Sequence, residues 1–115
     1  MVSLAAIRDQ RRSERVARLR QAVETLLVDP KQQQVWLFGS LARNDWDAYS
    51  DVDLLAVAPD QAAAENLADL LREACLADDV IALSQERWLQ HQEGHDPWWR
   101  SICREAIPLA GGISP

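Results

Sequence analysis

No run of apolar residues in this chain approaches the roughly 20 that a membrane-spanning helix requires, and Met1-Val-Ser-Leu lacks a signal-peptide pattern. Those absences set the expectation of a cytoplasmic protein with no membrane partner. Cysteine is scarce. Cys75 and Cys103 are unclustered in a chain without secretory features, so they read as buried thiols rather than as a disulfide. There are no internal repeats and no low-complexity linker, which excludes solenoid arrays and tethered modules. Basic residues are short where most of the chain lies: residues 31–115 carry six against fourteen acidic groups, within a net charge of −6. An acidic body argues against a broad nucleic-acid-binding surface. With 115 residues there is room for one domain with one core, and no separate lid or substrate domain fits.

What the chain does have is concentrated between Val35 and Val57. Val35, Trp36, Leu37 and Phe38 form a β-branched and aromatic run ending in Gly39-Ser40, and Asp51-Val-Asp-Leu-Leu-Ala-Val57 forms a second run. Both read as strands. Side chains two apart on a strand share a face, so Asp51 and Asp53 are expected to point the same way with Cβ atoms about 7 Å apart. Two carboxylates so placed can share a cation, and hard oxygen donors without nearby His or Cys favour Mg²⁺ or Mn²⁺ over zinc. Magnesium is commonly completed by substrate phosphates, which points to a nucleoside triphosphate. Gly39 lets backbone approach a ligand closely, and Ser40 adds a hydroxyl and an N–H for a phosphate oxygen. A short helix from Leu41 would turn its first amides toward an anion, and Arg43 is placed to help neutralise a triphosphate. Gly-Ser alone, or Asp-x-Asp alone, is a weak signal; their combination at this spacing is more specific.

Phe38-Gly-Ser-Leu-Ala-Arg43 followed by Ser50-Asp-Val-Asp-Leu-Leu55 resembles the signature of the minimal nucleotidyltransferases of the DNA polymerase beta superfamily. The pattern departs at Asn44, where glycine is usual; Asn best replaces Gly at a left-handed position. The resemblance implies Mg²⁺-dependent transfer of a nucleoside monophosphate from a triphosphate, taken as ATP, over a family core from about residue 32 to 111. It further implies a third carboxylate on the strand after the next helix. Asp79, in Asp79-Val-Ile-Ala-Leu83, matches that position best, with Asp78 expected to face away; the plainer reading is a loop that simply ends there.

The rest of the chain reads as support. Residues 4–28 form an amphipathic pattern through Val16, Leu19, Val23, Leu26 and Leu27, stopped by Asp29-Pro30. Its six arginines, from Arg8 to Arg20, read either as a solvated face or as a surface for a partner or RNA. Asp60 offers a cap to a helix with Leu67, Leu70, Leu71 and Ala74 on one stripe, which should cross over between strands. Ser84 caps a helix with Trp88 and Leu89. His91 and His95 are four apart, but Gly94 and Asp96-Pro97 argue that the helix has ended, which favours a structural role over a zinc site. Asp96 and Pro97 open a last helix, with Trp98, Trp99 and Ile102 expected to pack on the sheet; binding of a partner protein and base stacking by the tandem Trp are the other readings, with base stacking the less favoured. Ile107-Pro-Leu-Ala resembles the family's final strand, confined by Pro108 to an edge. Residues 112–115 are a tail.

The expectation is therefore a single α/β domain, a mixed sheet flanked by helices. Asp51, Asp53 and Asp79 form its metal and catalytic set, with Gly39, Ser40 and Arg43 on the nucleotide. The acceptor is less determined. The resemblance points to antitoxins that add AMP to a tyrosine of a HEPN-domain toxin, in homo- or hetero-oligomers, as in type VII-like toxin–antitoxin systems. Two alternatives stand beside it: an antitoxin that acts by binding alone, and transfer to a small molecule such as an aminoglycoside.

Overall fold

The structure is a computed structural model that describes residues 3–43 and 51–111. The readings placed on Asn44, Ser50 and the tail 112–115 lie outside the described residues. The chain runs α1 (Leu4–Leu26), β1 (Gln34–Phe38), α2 (Ser40–Arg43), β2 (Asp53–Ala58), α3 (Gln61–Glu73), β3 (Asp79–Ser84), α4 (Gln85–Glu93), α5 (Pro97–Glu105) and β4 (Ile107–Gly111). The sheet order is β3-β2-β1-β4. β1 is antiparallel to β2 and β4, while β2 and β3 are parallel, so the sheet is mixed as expected.

Local chemistry places the ends of these elements. Ser3 Oγ accepts from Ala6 N to start α1, Asp60 Oδ1 from Ala63 N to start α3, and Ser84 Oγ from Arg87 N to start α4. Asp96 Oδ1 accepts from Trp98 N and Trp99 N, with Pro97 in the first turn of α5, where a missing N–H costs nothing. α3 carries the crossover from β2 to the parallel β3, the connection that two parallel neighbours require. It stops at Cys75, which takes a left-handed φ of 56° while Leu76 N donates back to Leu71 O at 3.2 Å. Pro108 sits in β4, an edge strand, where an absent donor can face outward.

The sheet buries different side chains on its two faces. Val35, Leu37, Leu54, Ala56 and Ala110 join Val16, Leu19 and Val23 of α1 and Leu67, Ala68 and Leu71 of α3 in one aliphatic cluster. Phe38, Leu55, Val57 and Leu83 join Trp88 of α4 and Ile102 of α5 in the other, with Trp36, Ile81 and Trp99 packed alongside. Each fully buried Leu or Val contributes roughly 1.5–3 kcal/mol, so the first cluster carries most of the burial. Among the described residues no polar side chain is fully buried, and no helix is long and apolar enough to cross a membrane.

Three expectations need correction. Cys75 is exposed and Cys103 half-buried, and both are free thiols; the helix stop at Cys75 turns that side chain to solvent. Trp98 is 57% exposed instead of packing on the sheet. The arginines of α1 are not all free on a solvated face: Arg12, half-buried, donates to the carbonyls of Leu41 and Ala42, while Arg20 Nη2 donates to Pro108 O at 3.1 Å at the surface.

Candidate active site

The site begins with a row of residues across three strands. Phe38 on β1 pairs in register with Asp53 on β2, and Asp53 with Asp79 on β3. Neighbouring strands lie about 4.8 Å apart, so the carboxylates of Asp53 and Asp79 stand side by side. By the period of two, Asp53 shares its face with Leu55 and Val57, and Asp79 shares its face with Ile81 and Leu83. Those partners belong to the cluster under α4 and α5, so both acids point to that side of the sheet.

The strand opens two residues later than the sequence suggested, at Asp53, because Val52 is engaged outside the ladder. Its carbonyl accepts from Asp78 N at 2.9 Å and Asp79 N at 3.3 Å, and its N–H donates to Asp78 Oδ2 at 2.7 Å. Asp78 is thus used in holding the segment before β2 against the segment before β3. Asp51, at the end of that segment, still reaches the same cavity as Asp53.

Gly39 follows Phe38 with φ +80°, a conformation that L side chains resist. A Cβ there would collide with Asp53 Oδ2. Backbone and carboxylate are therefore in contact, and α2 begins at once with Ser40. Arg12 holds this corner from α1: its Nε donates to Leu41 O at 2.8 Å and its Nη2 to Ala42 O at 2.9 Å. Nothing in the local motif signals that clamp, since 29 residues separate Arg12 from Leu41.

A cavity of about 680 Å³ collects Gly39, Ser40, Arg43, Asp51, Asp53 and Asp79, all six residues singled out from the sequence. Phe38 and Ile81 from the sheet and Trp98, Ser101, Ile102 and Glu105 from α5 complete it. The α5 residues recur at i, i+3, i+4 and i+7, one stripe of a helix. That spacing is present in the sequence, but which stripe of α5 faces the acids is a matter of tertiary packing. Glu105 Oε2 pairs with Arg43 Nη1 at 3.5 Å, joining α5 to α2 across the cavity. The two histidines are not brought together on one helix. α4 ends at Glu93, and His91 stacks on Trp99 with ring centroids 3.8 Å apart.

The electrostatics of the row are unbalanced. Burial, and then the charges of Asp79, Asp51 and Asp78, push the Asp53 carboxyl above its ordinary pKa, with Arg43 opposing. Among the described residues no three acidic, His or Cys side chains are gathered tightly enough to form a ready metal-binding group. The donor chemistry nevertheless fits a hard divalent cation: adjacent carboxylate oxygens repel one another, and an ion of charge +2 between them would relieve it.

Three comparisons bear on identity. A protein from Sulfolobus solfataricus assigned as a nucleotidyltransferase superposes with a TM-score of 0.47 at 16% identity, covering 94% of this chain and 87% of that one. A toxin–antitoxin crystallised with AMP-PNP superposes with a TM-score of 0.44 at 21% identity, covering 85% of this chain and 72% of that one. Comparison with curated proteins returns no significant match. The family model for the nucleotidyltransferase domain matches residues 16–93, from α1 through α4 and well over half the chain. On that match, which spans Gly39-Ser40, Asp51, Asp53 and Asp79, the chain belongs to the nucleotidyltransferase domain family.

Proposed function

We propose that this protein transfers AMP from ATP to a hydroxyl group, that of a tyrosine on a partner HEPN-domain toxin, and so acts as the antitoxin of the pair. The observation that carries the transfer chemistry is the row Phe38, Asp53, Asp79, with Gly39 backbone packed against the Asp53 carboxylate in the cavity that also holds Ser40, Arg43 and Asp51. A cavity of this size, lined by polar and charged groups at one part and by Phe38, Ile81, Trp98 and Ile102 at another, suits one nucleotide. The choice of a toxin tyrosine as acceptor rests on the motif resemblance.

Each residue then has a task. Asp51 and Asp53, with Asp79 beside them, are the residues that would hold Mg²⁺. When bound, the ion supplies charge stabilisation for the triphosphate oxygens. Gly39 and Ser40 offer backbone N–H groups and a hydroxyl to the outer phosphates, and Arg43 adds positive charge, exchanging part of its pairing with Glu105 for phosphate contact. Asp79 accepts the proton of the acceptor hydroxyl. The acceptor oxygen bonds to the α-phosphorus as the bond from that phosphorus to the α,β-bridging oxygen breaks in line with it, and pyrophosphate leaves. Positioning and electrostatics carry the rate, as in phosphoryl transfer generally.

The test is intact mass of any co-encoded helical partner protein after incubation with this protein, Mg²⁺ and each of the four nucleoside triphosphates. The expected result is a gain of one or more AMP units with ATP, absent in the Asp51→Ala/Asp53→Ala variant. A stable complex with no gain from any triphosphate would overturn the transfer reading in favour of neutralisation by binding.

A further inference from the structure

We propose that Trp98 is the platform on which the base of the nucleotide stacks, an inference that rests on the nucleotidyltransferase reading above. Among the described residues the large exposed apolar side chains are Leu4, Val28, Leu70, Leu89 and Trp98, and of these Trp98 alone lines the cavity of the acidic row. Trp98 is 57% exposed while lining that cavity, so its indole is available to a ligand there instead of being used up in the core.

The ring is also held in place. Asp96 fixes the backbone of Trp98 and Trp99 at the start of α5. The Trp98 ring meets Trp99 edge-on, centroids 4.9 Å apart at 79°, and Trp99 is itself stacked on His91 at 12°. A support of three rings therefore presents the outermost one to the cavity at little further ordering cost to a ligand.

Spacing along α5 argues for the base rather than another aromatic group. Glu105, at one end of the stripe, is paired with Arg43, whose position beside Gly39 and Ser40 marks the phosphate end. Trp98 is seven residues away on the same stripe, about 10 Å along the helix axis. That is the length scale separating the outer phosphates of a nucleotide from its base. Phe38, Ile81 and Ile102 add apolar surface to the same cavity, suited to a flat ring.

The test is equilibrium binding of the full chain to two Mg²⁺-complexed probes, a non-hydrolysable ATP analogue and inorganic tripolyphosphate, for the wild type, Trp98→Ala and Trp98→Phe. Trp98→Ala is expected to weaken the ATP analogue by about tenfold or more, the range of base–aromatic stacking, while tripolyphosphate binds as before. Trp98→Phe is expected to keep most of the affinity. Equal loss for both probes, or no loss for the ATP analogue, would overturn the proposal. Unchanged nucleotide affinity with impaired transfer to the protein acceptor would place the acceptor, not the base, on this ring, and overturns it too. Failure of the wild type to bind either probe would instead remove the nucleotidyltransferase reading itself, and this inference with it.

Discussion

The two faces of the sheet use the same strands to opposite ends. Toward α1 and α3 the side chains are aliphatic and closed off from water, from Val35 and Leu37 to Leu67 and Leu71. Toward α4 and α5 the cluster is smaller, laced with Trp36, Trp88 and Trp99, and it gives way at one end to Asp53 and Asp79. Period-two alternation lets one strand serve both: Leu54 goes into the aliphatic cluster while Asp53 and Leu55 face the other way. The difference teaches that a domain this small can hold mutually repelling carboxylates on one face because the other face supplies the stability that those charges oppose.

Asp53→Asn should separate the faces most sharply. Transfer activity is expected to fall at least about 10²-fold through loss of a cation contact, read as the rate of nucleotidyl transfer. The melting temperature measured without divalent cations is expected to rise by a few degrees. The sign follows from the raised pKa of Asp53. Between the ordinary carboxylate pKa and the raised one, the folded state keeps a proton that the unfolded chain has released. Stability therefore falls as pH rises through that window and stays lower above it. The Asn variant should lack that fall; a variant less stable than wild type at neutral pH would contradict the account of the row.

Leu67→Ala is the mirror experiment on the closed face. Loss of a fully buried Leu is expected to cost about 2–5 kcal/mol in denaturant unfolding while leaving the rate per folded molecule unchanged. Arg12 is the point where the faces are coupled, because it reaches from α1 to the carbonyls of α2. Arg12→Gln should lower stability by about 1–2 kcal/mol and raise the KM for ATP several-fold with a smaller change in kcat, and Arg12→Lys should restore part of it. A stability loss with unchanged KM would make Arg12 a brace for the fold only. The smallest effect is expected at Cys75, where the left-handed backbone disfavours a side chain: Cys75→Gly should gain about 0.5–1 kcal/mol in the same unfolding measurement, with no change in activity.

Legibility in the sequence followed the range of the interactions. Gly39, Ser40, Arg43, Asp51 and Asp53 lie in one short stretch, and although Asp51 precedes β2 instead of lying on it, that short separation still brings it to the cavity of Asp53. Asp79 was readable because a crossover helix returns β3 parallel to β2; Asp78 lies before β3, and its bonds to Val52 carry no signal in the sequence. The α5 wall was not readable. Trp98, Ser101, Ile102 and Glu105 form a stripe at helical spacing, but so do other sets on the same helix, and the docking angle of α5 decides between them. Arg12 and the left-handed turn at Cys75 were hidden for similar reasons: one is a contact between distant segments, and the other occurs at a residue type that carries no signal for that conformation.

If the face under α4 and α5 is the working one, amide hydrogen exchange with and without Mg²⁺ and a non-hydrolysable ATP analogue will show it. Protection is expected at residues 39–43, around Asp53 and Asp79, and along α5 near Trp98, with the outer surfaces of α1 and α3 unchanged. Protection confined to the arginine-bearing surface of α1, with residues 39–43 and α5 unaffected, would contradict it.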